Sequence, residues 1–502
     1  MKQVFVVKNR YVDSVTLMGA AQSLQALPGV HGAESGMGTQ ANIDLLASLR
    51  YTVPEGTTKQ DLMIAIDADT DAQCEAACAS AQAYLSRGRS ASAHVYRALS
   101  EINLQQDGYD LVQISLPGQY AVKEAEQALC MGLDVFLFSD HVSLEDERRL
   151  KRLGQEKGLL VMGPDAGVGL IGGVALAAGS IVQEGPVGIV AASGSGAQEI
   201  ACQLERMGVG VRCILATGGR DLQPEIGGIS MRMALEKLRD DAKTAVICLI
   251  SKAADSGVME SVLREADCLG KPVVAMFLGA DQALFEGHRS IGARNLEEAA
   301  VDCVKMLRID AAQWSAPDKV IDAWAASSVA AMNPKRRWVH GLYCGGTFAE
   351  EAMQIISHSC ANSRILTNVH VKPDGATLRE SCHSLVDMGT EEFTVDAPHP
   401  VFDASIRLKH VRAAAEDAET AAIVLDFITG PGVAQDPFGP FLPVIAQHPE
   451  ILFITHICGA ARDPQNIEAA RVSLEQAGAV VAKSSTEAAR RMAALILRLD
   501  GR

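Results

Sequence analysis

The chain has 502 residues, of which 48% are hydrophobic, and its formal net charge is -16. This much apolar material is enough for three or four compact domains, while the acidic balance argues against nucleic acid and anionic membranes as partners. Its 12 cysteines are scattered without a C-x-x-C pair, so we expect reduced thiols, no metal site and a cytoplasmic location.

Short strands and helices alternate along the whole chain, which predicts an α/β protein with neither an export signal nor a membrane span. Residues 1–92 are predicted to form a small α/β domain with strands at 3–7, 30–37 and 61–67, ending in the polar stretch 86–93. Residues 93–183, 184–330 and 331–502 are predicted to form three further domains. Because helices of crossover length separate their strands, we expect these domains to contain parallel sheets. Their strands are predicted at 111–116, 134–138, 158–162, 187–191, 211–217, 244–251, 272–278, 338–343, 421–427, 451–455 and 479–482.

The segment from Gly188 to Glu199 predicts an anion-binding site. An apolar run ends there in a Gly/Ser turn and a helix-like stretch follows at once, so the turn becomes a helix N-terminus. Free N–H groups and the positive end of the helix dipole converge at such a turn, and glycines leave room for phosphate or carboxylate oxygens. The alternative, a turn without a ligand, stays open. The predicted phosphate-binding residues are Ser193, Gly194, Ser195, Gly196 and Ala197.

Further loops follow apolar runs and are expected at the same edge of the sheets, where ligands of parallel α/β folds bind. Arg220 offers a planar fork for a substrate carboxylate, and Lys252 at a strand end could stabilise charge on a transferring group. The residues predicted to bind substrate are Asp165, Gly219 and Asp221, although each aspartate could equally form only its own turn.

A loose internal repeat relates the stretch near 187–206 to the one near 338–357. If the repeat is real, two helix N-termini could face each other. The repeat adds Gly345, Gly346 and Thr347 to the predicted phosphate-binding residues.

His399 lies between two prolines and is predicted either to act in the active site or to pack the fourth domain. The other histidines in apolar strands, His340, His370 and His456, are interpreted as core or strand-end residues.

Several motifs together resemble a known superfamily. The stretch from about 107 to 310 resembles the α-subunit of succinyl-CoA synthetase in the order Met162-Gly163-Pro164, Gly188-Ile189-Val190, Ser193-Gly194-Ser195, Gly218-Gly219 and Gly270-Lys271-Pro272-Val273-Val274. Almost the whole chain is similar to the FdrA family, a branch of that superfamily, through Asp13-Ser14-Val15-Thr16-Leu17-Met18, Phe138-Ser139-Asp140-His141-Val142, Gly218-Gly219-Arg220-Asp221-Leu222, Gly341-Leu342-Tyr343-Cys344-Gly345-Gly346-Thr347 and Pro398-His399-Pro400.

The resemblance implies a Rossmann-like domain at 93–183 and flavodoxin-like ligase domains at 184–330 and 331–502. In the synthetase a phosphohistidine moves between two helix N-termini, and His288 stands roughly at its position. Here Arg289-Ser290 replace Ala-Gly, Ser251-Lys252 stand where the supporting glutamate is expected, and the Gly-rich CoA loop is missing ahead of Leu111.

These departures and the retained phosphate loop favour phosphate chemistry without a phosphoenzyme. The resemblance implies an AllF-like subunit of oxamate carbamoyltransferase in allantoin breakdown, with phosphate or carbamoyl phosphate as ligand and Arg220, Lys252 and His399 as catalytic candidates. Partner proteins encoded nearby, a homo-oligomer, or both are expected. The alternatives are an NDP-forming acyl-CoA synthetase, which would use CoA and ADP or ATP, and a non-catalytic scaffold subunit.

Overall fold

The computed structural model describes residues 1–10, 12, 17, 20–21, 23–24, 27–87, 96, 98–104, 108–252, 254–311, 314–369, 382–395 and 397–502. Residues 88–93 of the predicted linker, most of the 13–18 motif and His370 lie outside these residues. The chain divides into two compact units, Met1–Asn103 and Leu104–Arg502.

The first unit is built on an antiparallel sheet with the strand order β1-β3-β2. Ile64 and Ile66 of this sheet pack on one face, and Met63 and Ala65 pack on the other, as the twofold period of a strand requires. Its elements are β1 (Lys2–Val7), β2 (Val30–Met37), α1 (Gln40–Ser48), β3 (Leu62–Ala68) and α2 (Asp71–Arg87).

The second unit begins with a small parallel sheet of order β4-β5-β6. Helix α4 starts at the N-cap Ser143, whose hydroxyl accepts the Asp146 N–H, and ends at Gly158 in the left-handed conformation. The elements are β4 (Leu111–Ile114), α3 (Gly118–Met131), β5 (Asp134–Leu137), α4 (Leu144–Lys157) and β6 (Val161–Met162).

A larger sheet of order β13-β12-β11-β9-β10-β7-β8 follows. Strands β9 to β13 are parallel, whereas β7 and β8 form an antiparallel hairpin that joins the sheet through β10. The elements are β7 (Val168–Ile171), β8 (Val174–Ala177), β9 (Glu184–Ala192), α5 (Gly194–Arg206), β10 (Val211–Ala216), α6 (Ile229–Asp240), β11 (Val246–Ser251), α7 (Ser256–Ala266), β12 (Val273–Phe277), β13 (Ile291–Gly292), α8 (Leu296–Met306) and α9 (Asp318–Ala331).

The last sheet is parallel throughout its described strands, in the order β15-β16-β14-β17-β18-β19. Its elements are β14 (Trp338–Tyr343), α10 (Gly346–Ser359), β15 (Ile365–Thr367), β16 (His383–Asp387), α11 (Glu391–Thr394), α12 (Ser405–Glu416), β17 (Thr420–Ile428), α13 (Leu442–Gln447), β18 (Leu452–Cys458), α14 (Ile467–Ala477), β19 (Val480–Ala482) and α15 (Ser485–Asp500). The α/β class and the parallel sheets predicted from the sequence are confirmed. The domain boundaries stay a prediction.

One hydrophobic core joins the two large sheets. Ile200 of α5 and Leu296 of α8 belong to the same buried cluster as Phe348 of α10 and Met492 of α15. The two halves therefore fold against each other, and the loops at the carboxyl ends of their strands are held in fixed positions.

A buried ion cluster ties the small parallel sheet to the large one. The Lys151 ammonium on α4 lies 2.8 Å from Glu147, 2.8 Å from Asp221 and 2.7 Å from the Thr217 carbonyl, and its side chain is fully buried. Asp221 also accepts the backbone N–H groups of Ser230 and Met231 at the start of α6. The cluster therefore fixes the position of the loop after β10.

We expect Lys151→Met to destabilise the chain by about 3–5 kcal/mol, because it leaves two carboxylates buried without their ammonium partner. Urea unfolding of the full chain measures this loss. The matched control is Lys243→Met, since Lys243 is 71% exposed and pairs only with Glu184 among the described residues. Equal unfolding midpoints for the two variants would show that the cluster contributes nothing.

Candidate functional site

A cavity of about 200 Å³ lies where loops from both large sheets meet. It is lined by the loop after β6, the ends of β9 and β10, the residue after β11, and the first turns of α5 and α10. The predicted site residues that the structure brings together here are Asp165, Ser193, Gly194, Ser195, Gly219, Lys252, Gly346 and Thr347.

The N-termini of α5 and α10 face each other across this cavity, as the internal repeat predicts. Ser193 is the N-cap of α5, and its hydroxyl shares a 2.7 Å hydrogen bond with the Thr347 hydroxyl. Within the part of the chain that the structure describes, no group accepts a hydrogen bond from the N–H groups of Gly194, Ser195, Gly346 and Thr347. Two positive helix ends and their free donors therefore meet at one point, which is the arrangement that binds an anion.

Three other residues of the predicted phosphate loops do not line the cavity. The Gly196 N–H bonds to the Ser193 hydroxyl, and the Ala197 N–H bonds to the Ser193 carbonyl. A β-carbon on Gly196 would lie 2.6 Å from Ser193 Oγ and 3.2 Å from Thr347 Cγ2, so glycine is needed here for the two helices to approach. The Gly345 N–H is bonded to Asp426.

Asp426 at the end of β17 holds the loop that precedes α10. Its carboxylate accepts the N–H groups of Cys344 and Gly345 at 2.8 and 2.7 Å. Arg407 donates to the same carboxylate at 2.9 Å and to the Leu342 carbonyl at 2.9 Å. This buried pair fixes the α10 N-terminus and leaves the next two N–H groups for a ligand.

Two charged side chains reach the cavity. Lys252 follows β11, and its ammonium lies 3.0 Å from Glu350 on α10. Asp165 is exposed at the loop after β6, where the surrounding protein and the nearby Asp140 raise the pKa of its carboxyl. The Lys252 cation partly counteracts this shift.

The structure does not bring Arg220 or Asp221 into the cavity lining. The Arg220 guanidinium bonds to Glu147 at 2.8 Å and to the Val142 carbonyl at 2.8 Å, although its side chain remains 43% exposed. The Asp221 carboxylate accepts hydrogen bonds from the Lys151 ammonium and from two N–H groups at the start of α6. In this conformation the two residues shape the loop rather than face the site.

Asp387 is a site-adjacent residue that the sequence reasoning missed. It ends β16, and its Oδ1 accepts the Gly389 N–H at 2.9 Å. Burial raises the pKa of its carboxyl, and Asp426 and Glu350 raise it further, against the Gly389 N–H and Lys252. The sequence signal was an apolar run closed by Asp and Gly, the same pattern that marked the loop after β6.

His399 lies beside Asp387, in the rigid loop between Pro398 and Pro400. A β-carbon on Gly389 would collide with His399 Nε2 and lie 3.2 Å from Asp387 Oδ1. Burial lowers the pKa of the His399 ring. His399 therefore approaches the α10 side of the site without being part of the cavity lining.

Two buried glutamates join the halves reciprocally behind the cavity. Glu199 on α5 accepts the Ser485 N–H at the start of α15, and Glu351 on α10 accepts the Leu296 N–H at the start of α8. Burial would raise the pKa of Glu199, but His456 at 2.9 Å, Arg206 and the Ser485 N–H lower it to about 2. His456 is thus a buried hydrogen-bond partner of Glu199, in line with its interpretation as a core residue.

Glu351 has no cationic partner among the described residues. Burial raises its pKa to about 7, although hydrogen bonds from Ser485, Leu296 and Thr486 act against the shift. Glu199 and Glu351 are each the sixth residue of their helix, but their charge states differ: Glu199 is held as a carboxylate, and Glu351 keeps its proton up to about neutral pH.

His288 is held by two carboxylates, which corrects the expectation that it has no acidic partner. Its Nδ1 lies 2.7 Å from Asp267 and its Nε2 lies 3.2 Å from Glu260. Burial would lower the pKa of the ring, but these two partners raise it. The side chain is 8% exposed and does not line the cavity.

The raised pKa of Glu351 makes the free energy of unfolding of the chain depend on pH. Since burial raises its pKa from 4.5 to about 7, the folded state keeps a proton that the unfolded state loses in this window. Stability relative to Glu351→Gln should therefore fall by about 3 kcal/mol as the pH rises from about 5 to about 8. Glutamine keeps the hydrogen bonds without the charge. Urea unfolding at both pH values measures the difference, with Glu475→Gln as an exposed control. A constant difference between wild type and variant would contradict the raised pKa.

We expect no acid-labile phosphate on His288 after incubation with ATP and Mg²⁺, because both ring nitrogens are bonded and two carboxylates repel a phosphoryl donor. Phosphohistidine detection on the intact chain measures this. A labile phosphate that disappears in His288→Asn would overturn the prediction and favour a synthetase.

Comparison with known proteins agrees with this architecture. Residues 1–99 match the model described as AllF, heavy metal-associated domain, and residues 342–495 match the CoA-ligase model. Among the described residues of the first unit, Cys74 and Cys78 are buried in the hydrophobic core, and the described residues contain no cluster of three potential metal ligands. Among the described residues, no helix is long and apolar enough to cross a membrane.

Two solved structures show limited likeness. PH0766 from Pyrococcus horikoshii is 13% identical, with a TM-score of 0.33 and coverage of 81% of this chain and 87% of that one. The dinucleotide-forming acetyl-coenzyme A synthetase 1 of Ca. Korarchaeum cryptofilum, solved with phosphate and ADP, is 15% identical, with a TM-score of 0.33 and coverage of 82% and 87%.

Two curated relatives have a higher sequence identity to this chain than these two structures have. The succinate–CoA ligase (ADP-forming) subunit alpha of Methanothermobacter thermautotrophicus is 27% identical over 193 residues, which span 37% of this chain and 62% of that protein. The uncharacterized protein YahF of Escherichia coli is 33% identical over 504 residues, covering 96% of both chains. Full-length similarity to YahF, together with the AllF and CoA-ligase matches, places this chain in the FdrA/AllF-type family of CoA-ligase-like proteins.

Proposed function

We propose that this chain binds phosphate, or the phosphate of a small substrate, between the N-termini of α5 and α10. The observation that carries the proposal is the meeting, around one cavity, of four N–H groups without a partner among the described residues, the one hydroxyl proton left free by the Ser193–Thr347 hydrogen bond, and the Lys252 ammonium. These are donors and one cation, which is what an anion requires.

The reaction we propose is phosphate-dependent carbamoyl transfer by a subunit of the oxamate carbamoyltransferase type. Phosphate attacks the ureido carbonyl of oxalurate, and oxamate and carbamoyl phosphate are formed. The helix N-termini hold the phosphate, and Lys252 stabilises negative charge on the transferring group. The AllF match over residues 1–99 supports this choice. We propose that the chain works together with partner subunits in this reaction.

A second candidate is an NDP-forming acyl-CoA synthetase, which the CoA-ligase match over residues 342–495 favours. That reaction would need CoA and a nucleotide, and in the synthetase-like mechanism a mobile phosphohistidine. His288 is held by two carboxylates, so the structure offers less support for this route. A non-catalytic subunit that keeps the anion site is the third candidate.

We expect Lys252→Met to weaken the binding of inorganic phosphate by roughly 10–100-fold, the loss of one charge-assisted hydrogen bond. Isothermal titration of the folded variant measures the affinity. Lys305→Met is the control, because Lys305 is exposed on α8 and pairs with Asp302. Phosphate affinity equal to that of wild type would place the anion elsewhere.

The activity assay uses the chain alone and with the proteins encoded beside it. Carbamoyl phosphate formed from oxalurate and phosphate is the expected product. CoA thioester formed with ATP and CoA would support the synthetase instead, and neither product despite phosphate binding would support the non-catalytic subunit.

A further inference from the structure

Lys252 and Asp387 both approach the first residue of α10. A β-carbon on Gly346 would lie 2.7 Å from Asp387 Oδ2 and 3.1 Å from Lys252 Nζ, so only glycine leaves room for both groups. The same residue lines the anion cavity and offers a free N–H. The Asp387 carboxyl therefore lies next to Gly346, a residue of the cavity lining, although Asp387 itself is not part of that lining.

The neighbouring His399 is oriented as a hydrogen-bond donor. The Val401 N–H donates to its Nδ1 at 3.2 Å, so Nδ1 is an acceptor. Burial lowers the pKa of the ring, which is therefore neutral near pH 7 and carries its proton on Nε2. In the part of the chain that the structure describes, that N–H has no acceptor, and it lies close to Gly389 and Asp387.

Other acidic groups around Asp387 are already engaged. Glu350 on α10 pairs with Lys252, and Asp426 on β17 is bonded to Arg407 and to the loop before α10. Asp387 uses only Oδ1, for the Gly389 N–H, and no described group bonds to Oδ2. Asp387 is half-buried in the structure. The charged groups that face it are Lys252, Glu350, Asp426 and, through Asp426, Arg407.

We infer that Asp387 is the acid that protonates the leaving nitrogen in the proposed transfer, and that His399 Nε2–H binds an oxygen of the leaving fragment. This inference rests on the proposed function. A ureido nitrogen cannot leave as an anion near neutral pH, so a proton donor must lie beside the carbonyl that phosphate attacks.

The step balances without a further reactant. A phosphate oxygen forms a bond to the ureido carbonyl carbon, the bond from that carbon to the oxamate nitrogen breaks, and its electron pair takes the Asp387 proton. The Asp387 carboxylate then takes up the proton that hydrogen phosphate loses. The products are oxamate and carbamoyl phosphate, and Asp387 returns to its protonated form.

The test is Asp387→Asn in the assembled enzyme. Asparagine keeps the acceptor for the Gly389 N–H but has no proton to give, so we expect kcat to fall about 100-fold or more while phosphate affinity stays within about twofold. If Asp387 is the acid, wild-type kcat should decline as the pH rises through the raised pKa of its carboxyl, and the residual activity of the variant should lack that decline. Asp403→Asn is the matched control, because Asp403 also accepts an N–H two residues ahead, from Ser405.

The outcomes separate the two proposals. If wild type forms no carbamoyl phosphate, both the proposed function and this inference are wrong. If wild type is active and Asp387→Asn keeps its kcat and its high-pH decline, Asp387 is not the acid although the function stands. Asp387→Ser, which fits the same space, is a second test of the inference if asparagine disturbs the loop. Full activity of the folded serine variant would also overturn the inference.

Discussion

The contact between the N-termini of α5 and α10 is the constraint on which the rest of the site depends. The hydrogen bond between the Ser193 and Thr347 hydroxyls joins residues 154 positions apart, and Gly196 permits the close approach. Two positive helix ends repel each other. An anion that lies between them therefore stabilises the arrangement in which they are held together. Asp426, Arg407 and the shared hydrophobic core keep the two ends in place.

Glu199 and Glu351 occupy equivalent positions on α5 and α10, but their charge states differ. Glu199 is paired with His456 and ionised, whereas Glu351 has hydroxyl and N–H partners and a pKa near 7. Each nevertheless binds the start of a helix in the opposite half. This exchange joins the two halves behind the anion site, whose lining residues come from both sheets.

The sequence predicted the elements with long apolar runs and the Gly/Ser loops, because strand alternation and helix N-termini have local signals. It did not predict the partners of Arg220 and His288, since Glu147 lies 73 residues before Arg220 and Glu260 lies 28 residues before His288. The hairpin at 168–177 was also missed, although Gly172 and Gly173, both at positive φ, are a local turn signal. Asp387 was missed because β16 is short and its run of apolar residues is brief.

The most direct test of the account is a crystal structure of the chain grown with selenate, located by its anomalous signal and displaced by phosphate. The account predicts the anion within hydrogen-bond distance of the N–H groups of Gly194, Ser195, Gly346 and Thr347, with Lys252 beside it. An anion bound only at other positions, with water alone between the two helix ends, would contradict it.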